Sequence, residues 1–180
     1  MCKNACAHRF IVKNITLRYP LLLGAIGACT PAGHEDERNL HTALRSVQAV
    51  VATINELQRE TERICAVRDE LRDPPCLLHR DRRIVCDTTA LADTGRTLRI
   101  VVFNDAVLVA KVPTDAERKL KVLHWIAAAR LRVLRDEGDE QRLLVSDVHE
   151  RTAAQWQRVR FASKAQCNTL YAAMRSLHTA

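Results

Sequence analysis

The spacing of apolar residues changes once along this chain, from a helical period near 3.6 to a strand period of 2. Residues Ile11 to about Ala28 are apolar enough to predict a buried helix, and Thr30-Pro31-Ala32-Gly33 predicts an abrupt turn after it. A second helix is predicted to run unbroken to about Leu71, where Asp73-Pro74-Pro75 must stop it. Its stripe, typical of a helix packed against a partner, consists of Leu40, Leu44, Val47, Val51, Ile54, Leu57, Thr61 and Ile64.

The second part of the chain, from about Leu77, predicts six or seven short strands. Alternating residues from Leu98 to Phe103 are followed by the turn Asn104-Asp105 and by Val107–Val109, which together predict a hairpin. The loop before this hairpin is expected at Ala92-Asp93-Thr94-Gly95. Further extended segments are predicted at Leu120–Trp125, Arg130–Arg135, Arg142–Val145 and Gln155–Phe161, the last of which contains Trp156.

A single helix is predicted to close the chain. Ser163-Lys164-Ala165-Gln166 has the spacing of a capping box at its start. An apolar face would allow this helix to plug one end of a curved sheet, so the predicted fold class is α+β, with helices first and a sheet second. The face is formed by Cys167, Leu170, Tyr171, Met174 and Leu177.

Composition and charge narrow the classes of partner. The chain has 180 residues, of which 47% are apolar, and a formal net charge of +7, which would draw it to anionic membranes or acidic partners. Two features argue against nucleic-acid binding. Aromatic residues make up only 4% of the chain, and no stacking platform, finger or helix-turn-helix signature appears. We therefore expect no nucleic-acid partner.

The seven cysteines form no CxxC pair and leave an odd one over, which argues against a disulfide framework and a structural zinc site and favours a reducing, cytoplasmic location. The only ligand-like cluster is Cys2, Cys6 and His8, to which we assign no metal; no cofactor is predicted. Tyr19 to Cys29 has some likeness to the apolar core of a signal peptide, but Pro20, Gly24 and Gly27 weaken that alternative. Nor does the chain contain a run of about 18 apolar residues that could span a bilayer.

The run Ile15-Thr16-Leu17-Arg18-Tyr19-Pro20-Leu21-Leu22-Leu23, with Asn55 placed 37 positions after Arg18, resembles the last conserved block of the Dbl-homology (DH) domain of Rho-family guanine nucleotide exchange factors. The strands closed by one helix resemble the pleckstrin-homology (PH) domain that follows a DH domain, and Leu98 to Ala110 is similar to its second and third strands. Ile54 to Glu62 looks closest to the cytokinesis-type, epithelial-transforming subfamily.

This resemblance implies two domains. Residues 1–72 would be the C-terminal, incomplete portion of a DH domain, and residues 77–180 would be a PH domain. The fold would then combine the last helices of an all-α DH bundle with a PH-type antiparallel β-barrel or sandwich closed by one helix. The chain departs from the family pattern at Lys13-Asn14, where Gln-Arg is usual, and at Tyr171, where many PH domains carry Trp.

The function implied by the resemblance is to hold a Rho-family GTPase in its nucleotide-free shape and so promote GDP release, which needs no catalytic residue and no covalent chemistry. In the family, the basic residue before Tyr-Pro and an Asn near the end of the block contact the GTPase; here these positions are Arg18 and Asn55. The earlier DH blocks are missing from this chain, so we expect a fragment or truncated form that is inactive alone.

An alternative is a non-catalytic PH adaptor that binds membrane or protein partners, with a peripheral membrane position. The weak candidates for phosphoinositide contact are Arg96 and Arg99, just beyond the first loop. Arg80, Arg82 and Arg83 are interpreted as a solvated strand edge. A third possibility left open is that the PH domain supports the GTPase contact through protein surfaces.

Overall fold

The structure, a computed structural model, describes residues 18–113, 119–148 and 157–177. It divides into two compact units between Arg59 and Glu60. This division falls inside a long helix, because the last turns of the helix pack on the sheet that follows. The two domains at 1–72 and 77–180 stay a prediction.

The first unit contains two helices, α1 (18–29) and the first part of α2 (Glu37–Glu70). The predicted start of α1 near Ile11 lies outside the described residues. Between the helices, Gly33 has a φ of +83° and donates its backbone N–H to Glu37 Oε2 at 2.7 Å, so a residue without a side chain closes the turn. None of the described residues from 18 to 59 is buried, so this pair of helices has no core of its own.

The end of α2 is close to its predicted position. The helix stops at Glu70, and Asp73 then adopts a φ of +52° before Pro74 and Pro75. Between helix and prolines lies a two-residue strand, β1 (Leu71–Arg72), which pairs parallel with Leu120 and Lys121. The sequence did not predict this strand, because two residues carry no periodicity.

The second unit is built on one open sheet of eight strands, in the order β1-β5-β4-β3-β2-β8-β7-β6. The predicted hairpin is present, with β3 and β4 joined at Asn104-Asp105. Trp156 lies outside the described residues. The strands after β1 are β2 (Ile84–Ala92), β3 (Thr97–Phe103), β4 (Ala106–Lys111), β5 (Leu120–Ala127), β6 (Leu131–Arg135), β7 (Arg142–Asp147) and β8 (Gln157–Arg160).

The closing helix, α3 (Lys164–Ser176), begins as predicted, with Ser163 Oγ accepting a hydrogen bond from the backbone N–H of Gln166 at 3.2 Å. Its buried face packs against a cluster that we call the inner cluster. Tyr171 is only partly buried there. The buried members of the inner cluster are Ala90, Leu98, Ile100, Val102, Val107, Val109, Ile126, Leu131, Val133, Leu143, Val145, Val159, Phe161, Cys167, Leu170, Ala173, Met174 and Leu177.

The opposite face of β3 and β4 supports a second cluster, the outer cluster. Successive residues of a strand point to opposite faces, and Ile100 and Val102 belong to the inner cluster while Val101 and Phe103 belong to the outer one. These two strands are therefore buried on both faces. The buried members of the outer cluster are Ile64, Val67, Leu71, Leu77, Ile84, Val101, Phe103, Leu108, Ala110 and Leu120.

Candidate functional site

Arg18, the first predicted contact residue, lies at the start of the described chain on α1, and it is exposed. Asn55, the second, is half-buried on α2. Leu23 and Leu44 line the same cavity of about 270 Å³ between the two helices. Arg18 and Asn55 are thus on neighbouring helices of one hairpin.

Large apolar side chains are exposed on the same two helices. Leu21 on α1 is 73% exposed and Val50 on α2 is 57% exposed. An apolar surface of this kind marks a place where another protein element normally packs. The other exposed apolar side chains of the hairpin are Tyr19, Leu22, Ile26 and Leu57.

Of the two predicted phosphate-contacting residues, only Arg96 is exposed, in the turn between β2 and β3. Arg99 is ion-paired with two acids: its Nε and Nη2 donate to Asp87 at 3.0 and 2.8 Å, and its Nη1 donates to Glu70 at the end of α2. The hydrogen bond to Asp87, with the charges of Asp87 and Glu70, holds the pKa of Arg99 above its ordinary value, although burial opposes this. The Arg99 charge is therefore already used within the fold.

The interpretation of Arg82 as part of a solvated strand edge is wrong. Its side chain is only 9% exposed. Its Nε donates to Asp105 Oδ1 at 2.8 Å and its Nη2 to Oδ2, while its Nη1 donates to the backbone oxygens of Cys76 and Leu77 at 2.7 and 2.9 Å. Four of its five N–H groups thus donate hydrogen bonds. The sequence could not reveal this, because the partner acid lies in a turn 23 residues further along the chain.

Two aromatic rings complete the surroundings of Arg82. The guanidinium carbon lies 5.0 Å from the Trp125 ring centroid and 5.7 Å from that of Phe103, distances at which a cation is attracted to an aromatic ring. The neighbouring Arg83 is exposed, as the sequence predicted. Arg80 is exposed too, but in a turn ahead of β2 and not on a strand.

Asn104, the neighbour of Asp105 in the β3–β4 turn, also binds the segment that connects α2 to β2. Asn104 Oδ1 accepts from the backbone N–H of Arg83 at 2.9 Å, and its Nδ2 donates to the backbone oxygen of Asp81 at 2.9 Å. On the other side, Glu60 Oε2 accepts from the backbone N–H of Ile84 at 3.3 Å. The segment after α2 is therefore not a loose linker.

Other kinds of site are not visible in the described ranges. They contain no group of three or more His, Cys, Asp or Glu residues placed to hold a metal, and Cys2, Cys6 and His8 lie outside them. No helix among these residues is both long and apolar enough to cross a membrane.

Comparison with known proteins connects this fold to a family. No protein-family model matches the chain. Rho guanine nucleotide exchange factor 3 of Gallus gallus is 28% identical over 114 residues, 60% of this chain and 21% of that protein. Human neuroepithelial cell-transforming gene 1 protein is 27% identical over 114 residues, 60% of this chain and 19% of that protein. The chain spans about a fifth of the length of the curated relatives it matches.

Solved structures show the same fold. The DH/PH domains of PDZ-RhoGEF, in complex with RhoA activated by GTP-gamma-S, match 93% of this chain and 54% of theirs, with a TM-score of 0.58 and 14% identity. Autoinhibited Vav1 matches 93% of this chain and 32% of its own, with a TM-score of 0.62 and 16% identity. In sequence and fold the chain is similar to the Dbl-family Rho exchange factors. The narrower likeness to the epithelial-transforming subfamily is loosely consistent with these relatives.

Like these DH/PH structures, the chain has a helical part, α1 and α2, followed by a sheet with one closing helix. The described part of the chain combines helices with an open sheet of mainly antiparallel strands, so the coarser prediction of an α+β fold is confirmed. The residues Glu70, Asp87, Arg82 and Asp105, which fasten helix to sheet, were missed by sequence reasoning. One signal was present: Glu70 is an acid in the last turn of a helix, where a base is favoured by the helix dipole.

Proposed function

We propose that this chain supplies part of the GTPase-binding surface and the PH domain of a Rho-family guanine nucleotide exchange factor. The observation that carries the proposal is the α1–α2 hairpin with Arg18 and Asn55, which continues directly into a sheet with a closing helix. Relatives named as Rho exchange factors support it, as does the DH/PH likeness to a protein solved with RhoA. The partner we propose is a Rho-family small GTPase.

The mechanism is differential binding. A surface that binds the nucleotide-free GTPase more tightly than the GDP-bound form must weaken GDP binding by the same factor, because coupling between two ligands is reciprocal. Arg18 would supply a forked donor to a carboxylate or to backbone oxygens, and Asn55 an amide that both donates and accepts. No covalent step is involved, so the protein is a GTPase regulator and not an enzyme in the covalent sense.

We further propose that the 180 residues do not accelerate exchange alone. Binding energy is used efficiently only when the contact residues are held on a rigid support. None of the described residues from 18 to 59 is buried, and Leu21 and Val50 are exposed. The support for Arg18 and Asn55 would come from further helices packed on this apolar surface.

The finer details of fold and location belong to the same proposal. We propose that the sheet is a PH-type barrel or sandwich closed by α3, and that the protein is cytoplasmic with a peripheral membrane position. Any contact with an anionic lipid would be weak, since Arg96 is exposed while Arg99 is ion-paired with Asp87 and Glu70. A PH adaptor without a GTPase partner is the less favoured alternative.

The test compares the affinity of the purified chain for one Rho-family GTPase in its nucleotide-free and GDP-loaded forms. We expect tighter binding to the nucleotide-free form, and a loss of that preference in Arg18→Ala and Asn55→Ala. Arg38→Ala and Asn39→Ala are matched controls. Both controls are exposed; Arg38 lies about 25 Å from Asn55 along α2, and Asn39 is rotated by about 160° from it around the helix.

Equal affinity for the two forms of the GTPase would contradict the exchange-factor proposal. A parallel assay follows the release of a fluorescent GDP from the same GTPase. Reciprocity applies to binding free energies and not to rates, so the chain can prefer the nucleotide-free form without speeding release. We expect the spontaneous release rate to stay unchanged, and a clear acceleration would contradict only the proposal that the chain is inactive alone.

A further inference from the structure

The outer cluster has a cover that is made from one continuous stretch of chain. Residues Glu60–Arg83, which we call the cover, contribute Ile64, Val67, Leu71 and Leu77 to it. Leu71 lies in β1, the edge strand that pairs with β5. Strands β2–β5 contribute the remaining buried residues, including Phe103 and Leu108. No buried residue of the cover belongs to the inner cluster. The two clusters are therefore buried by different parts of the second unit.

Polar contacts fasten this cover at several points, which include the pairing of β1 with β5 and the hydrogen bonds of Asn104 to Asp81 and Arg83. Two further contacts are made by ion pairs. At one, Arg82 of the cover binds Asp105 of the β3–β4 turn with two hydrogen bonds and binds back to the oxygens of Cys76 and Leu77. At the other, Glu70 of the cover binds Arg99 of β3, which Asp87 of β2 holds in place. Charged hydrogen bonds of this kind are stronger than neutral ones.

We propose that the cover is a strap that opens and closes as one unit over the outer face of β3, β4 and β5, with Arg82–Asp105 and Glu70–Arg99 as its two latches. Opening removes the cover from Phe103, Leu108 and Trp125 and leaves the inner cluster in place. Proteins open in contiguous segments that are less stable than their core. This segment has its own apolar contacts and its own latches, so it meets the description of such a unit.

The two latches differ in how readily water reaches them. In the first latch Arg82 is 9% and Asp105 42% exposed, and in the second Arg99 is 20% and Glu70 53% exposed. Arg82 also donates to two backbone oxygens of the cover, whereas Arg99 donates to Asp87 of the sheet. An exposed ion pair contributes little because water screens it, whereas removing one partner of a buried, hydrogen-bonded charge leaves the other uncompensated. The Arg82 latch therefore controls the opening, and the Arg99 latch has the smaller effect.

The test measures backbone hydrogen exchange, peptide by peptide, on the full 180-residue chain. In Arg82→Met we expect exchange in the cover to rise by about tenfold, with a change of less than about twofold in α3 and β7. Arg83→Met is the matched control, because Arg83 is the next residue, carries the same charge and is exposed. For the second latch, Arg99→Met is paired with Arg96→Met, and its effect on the cover should be smaller.

Asp105→Asn provides an independent variant that keeps the shape of the acid and removes its charge. Trp125 gives a second readout: in a Trp156→Phe background it is the only tryptophan of the chain, and its quenching by acrylamide should increase in Asp105→Asn. Equal acceleration of exchange in the cover and in α3 would overturn the proposal, because the cover would then not open separately. Unchanged exchange in the cover of both Arg82→Met and Asp105→Asn would overturn it as well.

Discussion

Arg82 shows how one side chain can fasten a connection that looks unstructured in the sequence. It binds a carboxylate, two backbone oxygens and the faces of two aromatic rings. A planar guanidinium can meet all of these at once, whereas an ammonium group is a point charge with three donors. The sequence could not indicate this role, because the partner Asp105 becomes a neighbour only when β3 and β4 have formed.

We therefore predict that Arg82→Lys lowers the free energy of unfolding by about 1–3 kcal/mol, since Lys keeps the charge but loses the fork that meets Asp105 and the backbone oxygens. The measurement is urea denaturation followed by circular dichroism. Arg83→Lys, one residue on, should leave the unfolding midpoint unchanged. A value for Arg82→Lys equal to that of Arg83→Lys would show that the charge alone is sufficient.

The cysteines differ in burial, and this predicts an order of reaction. Burial raises the pKa of the Cys167 thiol, and burial together with the charge of Asp87 raises that of Cys86, whereas Cys29 and Cys76 are exposed. With iodoacetamide at mildly alkaline pH, mass spectrometry should show that, of the five cysteines in the described ranges, Cys29 and Cys76 are alkylated first and Cys167 last, because the thiolate is the reactive form. Early alkylation of Cys167 in the folded chain would contradict its burial.

The same two thiols add a pH dependence to stability. A folded pKa above the unfolded one means that the folded chain binds more protons once the pH exceeds the ordinary thiol pKa of about 8.5. Cys86 and Cys167 therefore make their full contribution to the free energy of unfolding below that pH. This contribution is lost as the pH rises through the pKa values that the two thiols have in the folded chain. We expect Cys167→Ser to show a smaller fall in the urea midpoint between neutral and alkaline pH than the parent chain.

Among the elements, those with a local pattern were predicted and those that depend on distant partners were not. The long helix α2, the β3–β4 hairpin and α3 each carry their signal within a few turns or residues. The strand β1 exists only because Leu71 and Arg72 meet Leu120 and Lys121, about 50 residues later in the chain. Arg18 and Asn55 came from a family resemblance, whereas the ion pairing of Arg99 required the structure.

At the start of α3, the side chain of Ser163 satisfies one of the backbone N–H groups that a helix leaves unpaired. Ser163→Ala should therefore cost about 1 kcal/mol in the free energy of unfolding. Thr169→Ala is the control, because this exposed hydroxyl only bonds back to the oxygen of Ala165 in the same helix. A cost for Thr169→Ala as large as that for Ser163→Ala would show that the cap is not the source of the effect.

At the scale of the whole molecule, the two compact units differ in what holds them together. The second unit, which begins at Glu60, contains both the inner and the outer cluster, while the described residues of the first unit include no buried one. Stability follows the apolar surface that folding removes from water. The first unit should therefore unfold at a lower free energy than the second.

This difference predicts that a shortened chain of residues 60–180 folds by itself and melts cooperatively within a few degrees of the full chain's main transition. The deleted helices contribute no buried residue among those described, so their loss should remove helical signal without removing the core.

In the full chain, limited proteolysis should cut between residues 30 and 59 before it cuts any strand, since cleavage follows local opening. The measurements are thermal circular dichroism and mass spectrometry of the first fragments. A shortened chain without a cooperative transition would show that the helices before Glu60 are needed for the sheet to fold, and first cuts within β2–β4 would show that the sheet opens more readily than the helix pair.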